Sequence, residues 1–132
     1  MTTIFTKIMT GELPGHIVYE DDQCAAFLTI EPVNPGHTLV VPREEINHWV
    51  DLPDGLRNHL FAVAQKIAQA QRTVFDSERS ALMIAGFEVP HTHLHVYPAN
   101  SMADFSPEAI QRDVPPEELG QHAQSLREAL AE

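Results

Sequence analysis

Basic residues are scarce in this chain: 8 Lys and Arg stand against 19 Asp and Glu among 132 residues, a net charge of −11 with histidine neutral. That balance is the opposite of the footprint that phosphate backbones and anionic lipids select, so nucleic acid and membrane surfaces are excluded as expected partners. Cysteine is nearly absent. The lone Cys24 has no second thiol for an internal disulfide and no Cys-x-x-Cys neighbour, so it is read as a small core side chain. Long apolar runs are missing too. The longest, Ala81 to Phe87, falls far short of the ~20 residues that span a bilayer, and the first residues hold no apolar signal region. These absences lead us to expect a cytoplasmic protein. Repeats and linker-like segments are also lacking, so residues 1–132 are expected to form one domain with its own core.

Periodicity and turn chemistry outline an α+β unit. Ile4, Phe5, Ile8 and Met9 have near-helical spacing ahead of Gly11, which predicts a short N-terminal helix. Val18 to Glu20 and Cys24 to Ile30 flank an acidic turn and predict a hairpin, and His37 to Val41, apolar and β-branched, predicts a central strand ending at Pro42. Leu56, Leu60, Val63, Ile67, Ala70 and Val74 form the stripe of a long helix with Asp54 and Gly55 at its start. Ser80 to Ala85 is expected to be a buried strand and residues 99–115 a loop. Beyond Pro115 and Pro116, Leu119, Ala123, Leu126 and Leu130 mark a C-terminal helix with Glu117 and Glu118 in its first turn.

Histidine is what the chain has in excess, with 8 residues, three of them alternating in His91-Thr-His93-Leu-His95. On a strand running from His91 to Tyr97 they would line one face over roughly 13 Å, opposite Leu94 and Val96. Zinc is one occupant of such a row, yet its ligands must gather within about 3.5 Å of each other, which the outer two imidazoles of an extended strand do not manage. A row that merely faces water would be served equally by Thr, Lys or Glu. Groups that titrate near neutrality can instead act as nucleophile, proton donor and phosphate ligand together, the central one being best placed for attack.

The same residues carry a resemblance. His91-Thr-His93-Leu-His95-Val-Tyr-Pro98 resembles the His-x-His-x-His-x-x motif of the histidine-triad (HIT) superfamily. Ile4 to Pro14, Tyr19 to Phe27 and Pro35 to Pro42 are similar to its N-terminal segment, first hairpin and next strand, so the match runs through residues 3–98. The resemblance implies a HIT-like α+β fold with a five-stranded antiparallel sheet, one long helix and a C-terminal helix, and a homodimer in which two sheets join. It implies a nucleotide-binding hydrolase or transferase that cleaves at the α-phosphate of a nucleoside phosphoramidate or related nucleotidyl substrate.

By that resemblance His93 is the nucleophile, His37 and His95 bind phosphate or assist, and His91 supports His93. Phe27 and Ile30, beside Phe5 and Ile8, would line the base and ribose pocket of a purine nucleotide. The departures are equally specific. Hint-like members that hold a structural zinc carry Cys-x-x-Cys where this chain has Thr3 and Thr6, so no metal or cofactor is expected. The ribose-binding Asp of such relatives aligns with Thr29, and their Gly-rich loop with Gln and Ser is replaced by a shorter Ala85 to Pro90, in which Glu88 would repel a phosphate. These departures keep open an alternative, a purine-nucleotide-binding or protein-interaction dimer with little catalysis.

Overall fold

The computed structural model describes residues 2–132, and its framework is a five-stranded antiparallel sheet of order β1-β2-β3-β5-β4. Helix α1 spans Ile4–Thr10, and the strands are β1 Ile17–Glu20, β2 Cys24–Leu28, β3 Thr38–Pro42, β4 Arg79–Met83 and β5 Leu94–Ala99. Helix α2 covers Asp54–Val74 and α3 covers Pro116–Leu130. The expected short helix ends as its sequence dictates, with Gly11 in the left-handed region (φ +87°) and its N–H bonded to the Ile8 carbonyl. The expected hairpin is β1–β2, closed by Asp21, whose carboxylate accepts from the Gln23 and Cys24 N–H groups.

Strand alternation gives the sheet two different faces. Cys24, Ala26, Leu28, Val40, Leu94 and Val96 turn toward α2 and α3 and pack with Leu60, Val63, Ile67, Leu119, Ala123 and Leu126. Burying each of the larger aliphatic side chains stabilises the fold by about 1.5–3 kcal/mol, so this face holds the main core. Ala25, Phe27, Leu39 and Val41 turn the other way, toward Phe5 and Met9 of α1. His95 lies opposite Leu39 in the β3–β5 register and therefore shares that second, thinly covered face.

The structure corrects three readings of the sequence. The strand expected as buried at 80–85 is β4, at the rim of the sheet, where Ser80 and Leu82 are exposed because, among the described residues, β5 is its one neighbour in the sheet. Residues 99–115 include two short 3₁₀ turns, Met102–Phe105 and Pro107–Ala109, and Phe105 packs against Tyr97 with ring centroids 5.8 Å apart. His91 and His93 do not lie on a strand, since β5 starts at Leu94. Among the described residues no helix is long and apolar enough to cross a membrane.

Candidate active site

The late start of β5 has a local cause. Register would place Thr92 and His93 opposite Pro42 and Val41, but Pro42 has no N–H to offer and its carbonyl accepts from His91 Nε2 at 2.7 Å. The chain turns instead: His91 N–H bonds the Val89 carbonyl and Thr92 N–H bonds the Ile46 carbonyl. The imidazoles are thereby drawn together rather than spread along a strand. Ring centroids of His93 and His95 lie 5.0 Å apart, those of His37 and His95 5.2 Å, and Phe5 meets His93 edge-on at 4.8 Å.

Hydrogen bonding assigns every proton in this group. A carbonyl only accepts, so the 2.8 Å bond from His93 to the His91 carbonyl puts the proton of neutral His93 on Nδ1 and leaves Nε2 as a bare lone pair. Val33 N–H donates to His37 Nδ1 at 3.0 Å, so His37 carries its proton on Nε2 and donates it to His95 Nδ1 at 2.9 Å. His95 is left with Nε2–H as its remaining donor. The neutral forms follow from the surroundings. Burial, with His95 nearby, brings His37 down to about 3, and burial beside His93 brings His95 down to about 4. Burial also lowers His93, against the opposing pull of the His91 carbonyl. The site thus offers one unprotonated nucleophilic nitrogen beside one N–H donor at neutral pH.

The other expected residues fall into two sets. Phe5 and Phe27 are buried against each other, with centroids at 5.6 Å and Ile8 packed on them, so they form the wall behind His93. Ile30, two residues beyond the end of β2, is 71% exposed. Thr29 is half-buried; its N–H bonds the His37 carbonyl and its hydroxyl oxygen accepts from Glu31 N–H at 3.2 Å. Glu88 is exposed on the loop before His91 and acts electrostatically on His93, while its neighbour Phe87 is 97% exposed.

Thr3 and Thr6 are joined to His91 and to a residue that sequence reasoning did not single out, Glu45. The Glu45 carboxylate accepts from Thr3 N–H at 2.8 Å and from the Thr6 hydroxyl at 2.5 Å, and Thr3 Oγ1 lies 2.7 Å from His91 Nδ1. Zinc does not fit here: two hydroxyls replace thiolates, and both ring nitrogens of His91 are engaged, one by Thr3 and one by Pro42. Asp21, Cys24 and His59 are close enough to enclose an ion, but Asp21 is saturated by Tyr19, His59 and two backbone N–H groups. Burial, with Asp21 adjacent, pushes the Cys24 thiol up to about 12, which disfavours the thiolate a metal needs.

Comparison with known proteins places these features in a family. The HIT domain model matches residues 10–102. Protein hit of Bacillus subtilis is 34% identical over 136 residues, covering 97% of this chain and 94% of its own. A Zn-bound histidine triad family protein from Mycobacterium smegmatis is similar in structure, with a TM-score of 0.83, 31% identity, and 99% and 94% of the two chains covered. A HIT family hydrolase from Legionella pneumophila Philadelphia 1 superimposes with a TM-score of 0.67 at 32% identity, over 76% of this chain and 96% of that one.

Proposed function

The chain belongs to the HIT domain family, and from that premise we propose that it is a nucleotidyl hydrolase or transferase acting at the α-phosphate of a nucleoside phosphoramidate or a related purine nucleotidyl substrate. The carrying observation is the Nδ1–H bond of His93 to the His91 carbonyl, which leaves Nε2 as the ring's free nucleophilic atom. His93 Nε2 attacks phosphorus in line, forming a P–N bond as the bond to the leaving group breaks, and the leaving amine departs with the proton it took up from solution. His95 Nε2–H donates to a non-bridging oxygen, where charge accumulates in the transition state. Water then attacks the same phosphorus, expels neutral His93, and yields the nucleoside monophosphate with one proton released to solvent. The Legionella relative's description as a hydrolase supports this reading.

The test is His93→Ala assayed with an adenosine phosphoramidate. Turnover should fall by many orders while AMP binding and folding persist, since His93 carries little of the main core. Retention of more than about a tenth of wild-type kcat, a difference of only ~1.4 kcal/mol, excludes His93 as nucleophile. Quenched wild-type enzyme should hold an acid-labile, alkali-stable nucleotidyl group on the peptide containing His93. Exposed Phe87 and acidic Glu88 favour a second reading, a nucleotide-binding dimer with little catalysis; nucleotide binding without turnover at saturation would select it.

The homodimer belongs to the same proposal. Of the two rim strands, β1 is covered: Arg127 Nε donates to the Ile17 carbonyl and α3 packs along it. The β4 rim is open and adjoins a groove of 420 Å³ between α2 and the sheet, whose lining includes exposed Phe61 and Leu82. Pairing β4 with a second copy would cover both the unpaired outer edge of β4 and the groove.

A further inference from the structure

His91 is the fixed point on which the nucleophile turns, because its carbonyl orders the His93 ring. Its own ring is held at both nitrogens. The Pro42 carbonyl can only accept, so the proton of neutral His91 lies on Nε2, and Nδ1 is an acceptor. Among the described residues, the one group donating to that acceptor is the Thr3 hydroxyl at 2.7 Å, from a residue 88 positions earlier in the chain. Thr3 is itself tied down. Its oxygen accepts from Thr6 N–H as the N-cap of α1, and its N–H is held by Glu45, which also takes the Thr6 hydroxyl. These bonds from Thr6 and Thr3 hold the Glu45 carboxyl below the usual carboxylate range.

We propose that Thr3 is a positioning residue for the reaction: its hydroxyl donates to His91 Nδ1, fixes the Nε2–H form of that ring, and so holds the carbonyl that aims His93. The hydrogen-bonded group of Thr3, Thr6 and Glu45 performs this without a metal. The proposal rests on the reading of His93 as nucleophile for its kinetic arm alone.

Three measurements test it. Imidazole nitrogen NMR of the wild-type protein should show His91 bare at Nδ1 and protonated at Nε2; the opposite form overturns the proposal whether or not the protein turns over a phosphoramidate. Thr3→Val should lower kcat by about 10- to 100-fold, the scale of a misplaced catalytic group, with KM moving less than about threefold. Thr3→Ser, which restores the hydroxyl, should recover most of that loss. A Thr3→Val enzyme within about twofold of wild-type kcat, or a serine variant as impaired as the valine one, overturns the assignment. Thr3→Asp, which keeps a cap acceptor for Thr6 N–H but has no proton to give His91, should be as impaired as the valine variant, and an aspartate variant near wild-type kcat would assign the effect to the cap instead. Chelator should leave kcat and His91 resonances unchanged; their joint loss with a stoichiometric metal would show that a metal, not Thr3, holds the ring. A wild-type protein without turnover, yet with the expected His91 form, defeats the enzymatic reading and leaves the geometry of Thr3 intact.

Discussion

Under the proposed function, Thr29 is the residue expected to set how finely the site reads a sugar. Its oxygen already accepts from Glu31 N–H, so what it has left to offer a ribose hydroxyl is one neutral donor and one further lone pair. A carboxylate that accepts from the sugar is left unpaired by a deoxy substrate, and such sites reject the analogue strongly. A threonine hydroxyl turns to water at little cost. Selectivity between adenosine and 2′-deoxyadenosine phosphoramidates is therefore expected to be shallow, within about fivefold in kcat/KM, the ~1 kcal/mol of one neutral hydrogen bond. Thr29→Asp keeps an acceptor for Glu31 N–H and adds a second oxygen for the sugar, so it should raise that ratio about tenfold or more. An unchanged ratio in a folded, active variant means that this side chain does not touch the sugar.

The elements differ in how far local sequence decides them, and β4 and β5 mark the limit. Helices α1, α2 and α3 and the β1–β2 hairpin lie close to their expected ranges because 3.6-residue periodicity, Gly11, Pro115 and the Asp21 turn act within a few residues. The start of β5 was illegible because it is set by Pro42, whose carbonyl meets the His91 ring 49 positions away. The same holds within the site: the triad motif marks His93 and His95, whereas the parts of Thr3 and Glu45 depend on loop packing that no local pattern records. The exposure of β4 depends on which strands lie beside it, a property of the whole sheet. That position makes β4 testable. Light scattering should give a two-chain mass for the wild type. Leu82→Glu, which places an unpaired carboxylate at the joined rim, should weaken association by more than about 100-fold, for a cost of ~3 kcal/mol or more. A wild-type monomer, or a glutamate variant that still dimerises as tightly, removes β4 as the interface.

For the molecule as a whole, acid brings two opposed effects, and magnitude decides between them. Lowering the pH from 7 toward the isoelectric point near 5.0 relieves the self-repulsion of a chain carrying −11, which favours the folded state. Those charges are mostly exposed, and salt at physiological strength screens them beyond about 8 Å, so the relief is small. The buried histidines act the other way. His37 at about 3 and His95 at about 4 lie below the 6.5 of an unfolded histidine, so the unfolded chain takes up protons first as the pH falls. Stability is then full above 6.5 and is lost between 6.5 and the folded values. At pH 5 each ring has forfeited about 2 kcal/mol, at 1.36 kcal/mol per pH unit below the unfolded pKa, and His93 is shifted in the same direction. Asp21 and Glu45, held below the usual carboxylate range, add their losses only at still lower pH. The urea midpoint should accordingly fall between pH 7 and pH 5, and His37→Gln, although less stable at pH 7, should show a smaller fall by about one histidine's share, ~2 kcal/mol. A midpoint that rises toward the isoelectric point, or a fall of equal size in the glutamine variant, would mean that these imidazoles are not buried in neutral form, and with that the bare Nε2 of His93 would lose its physical basis.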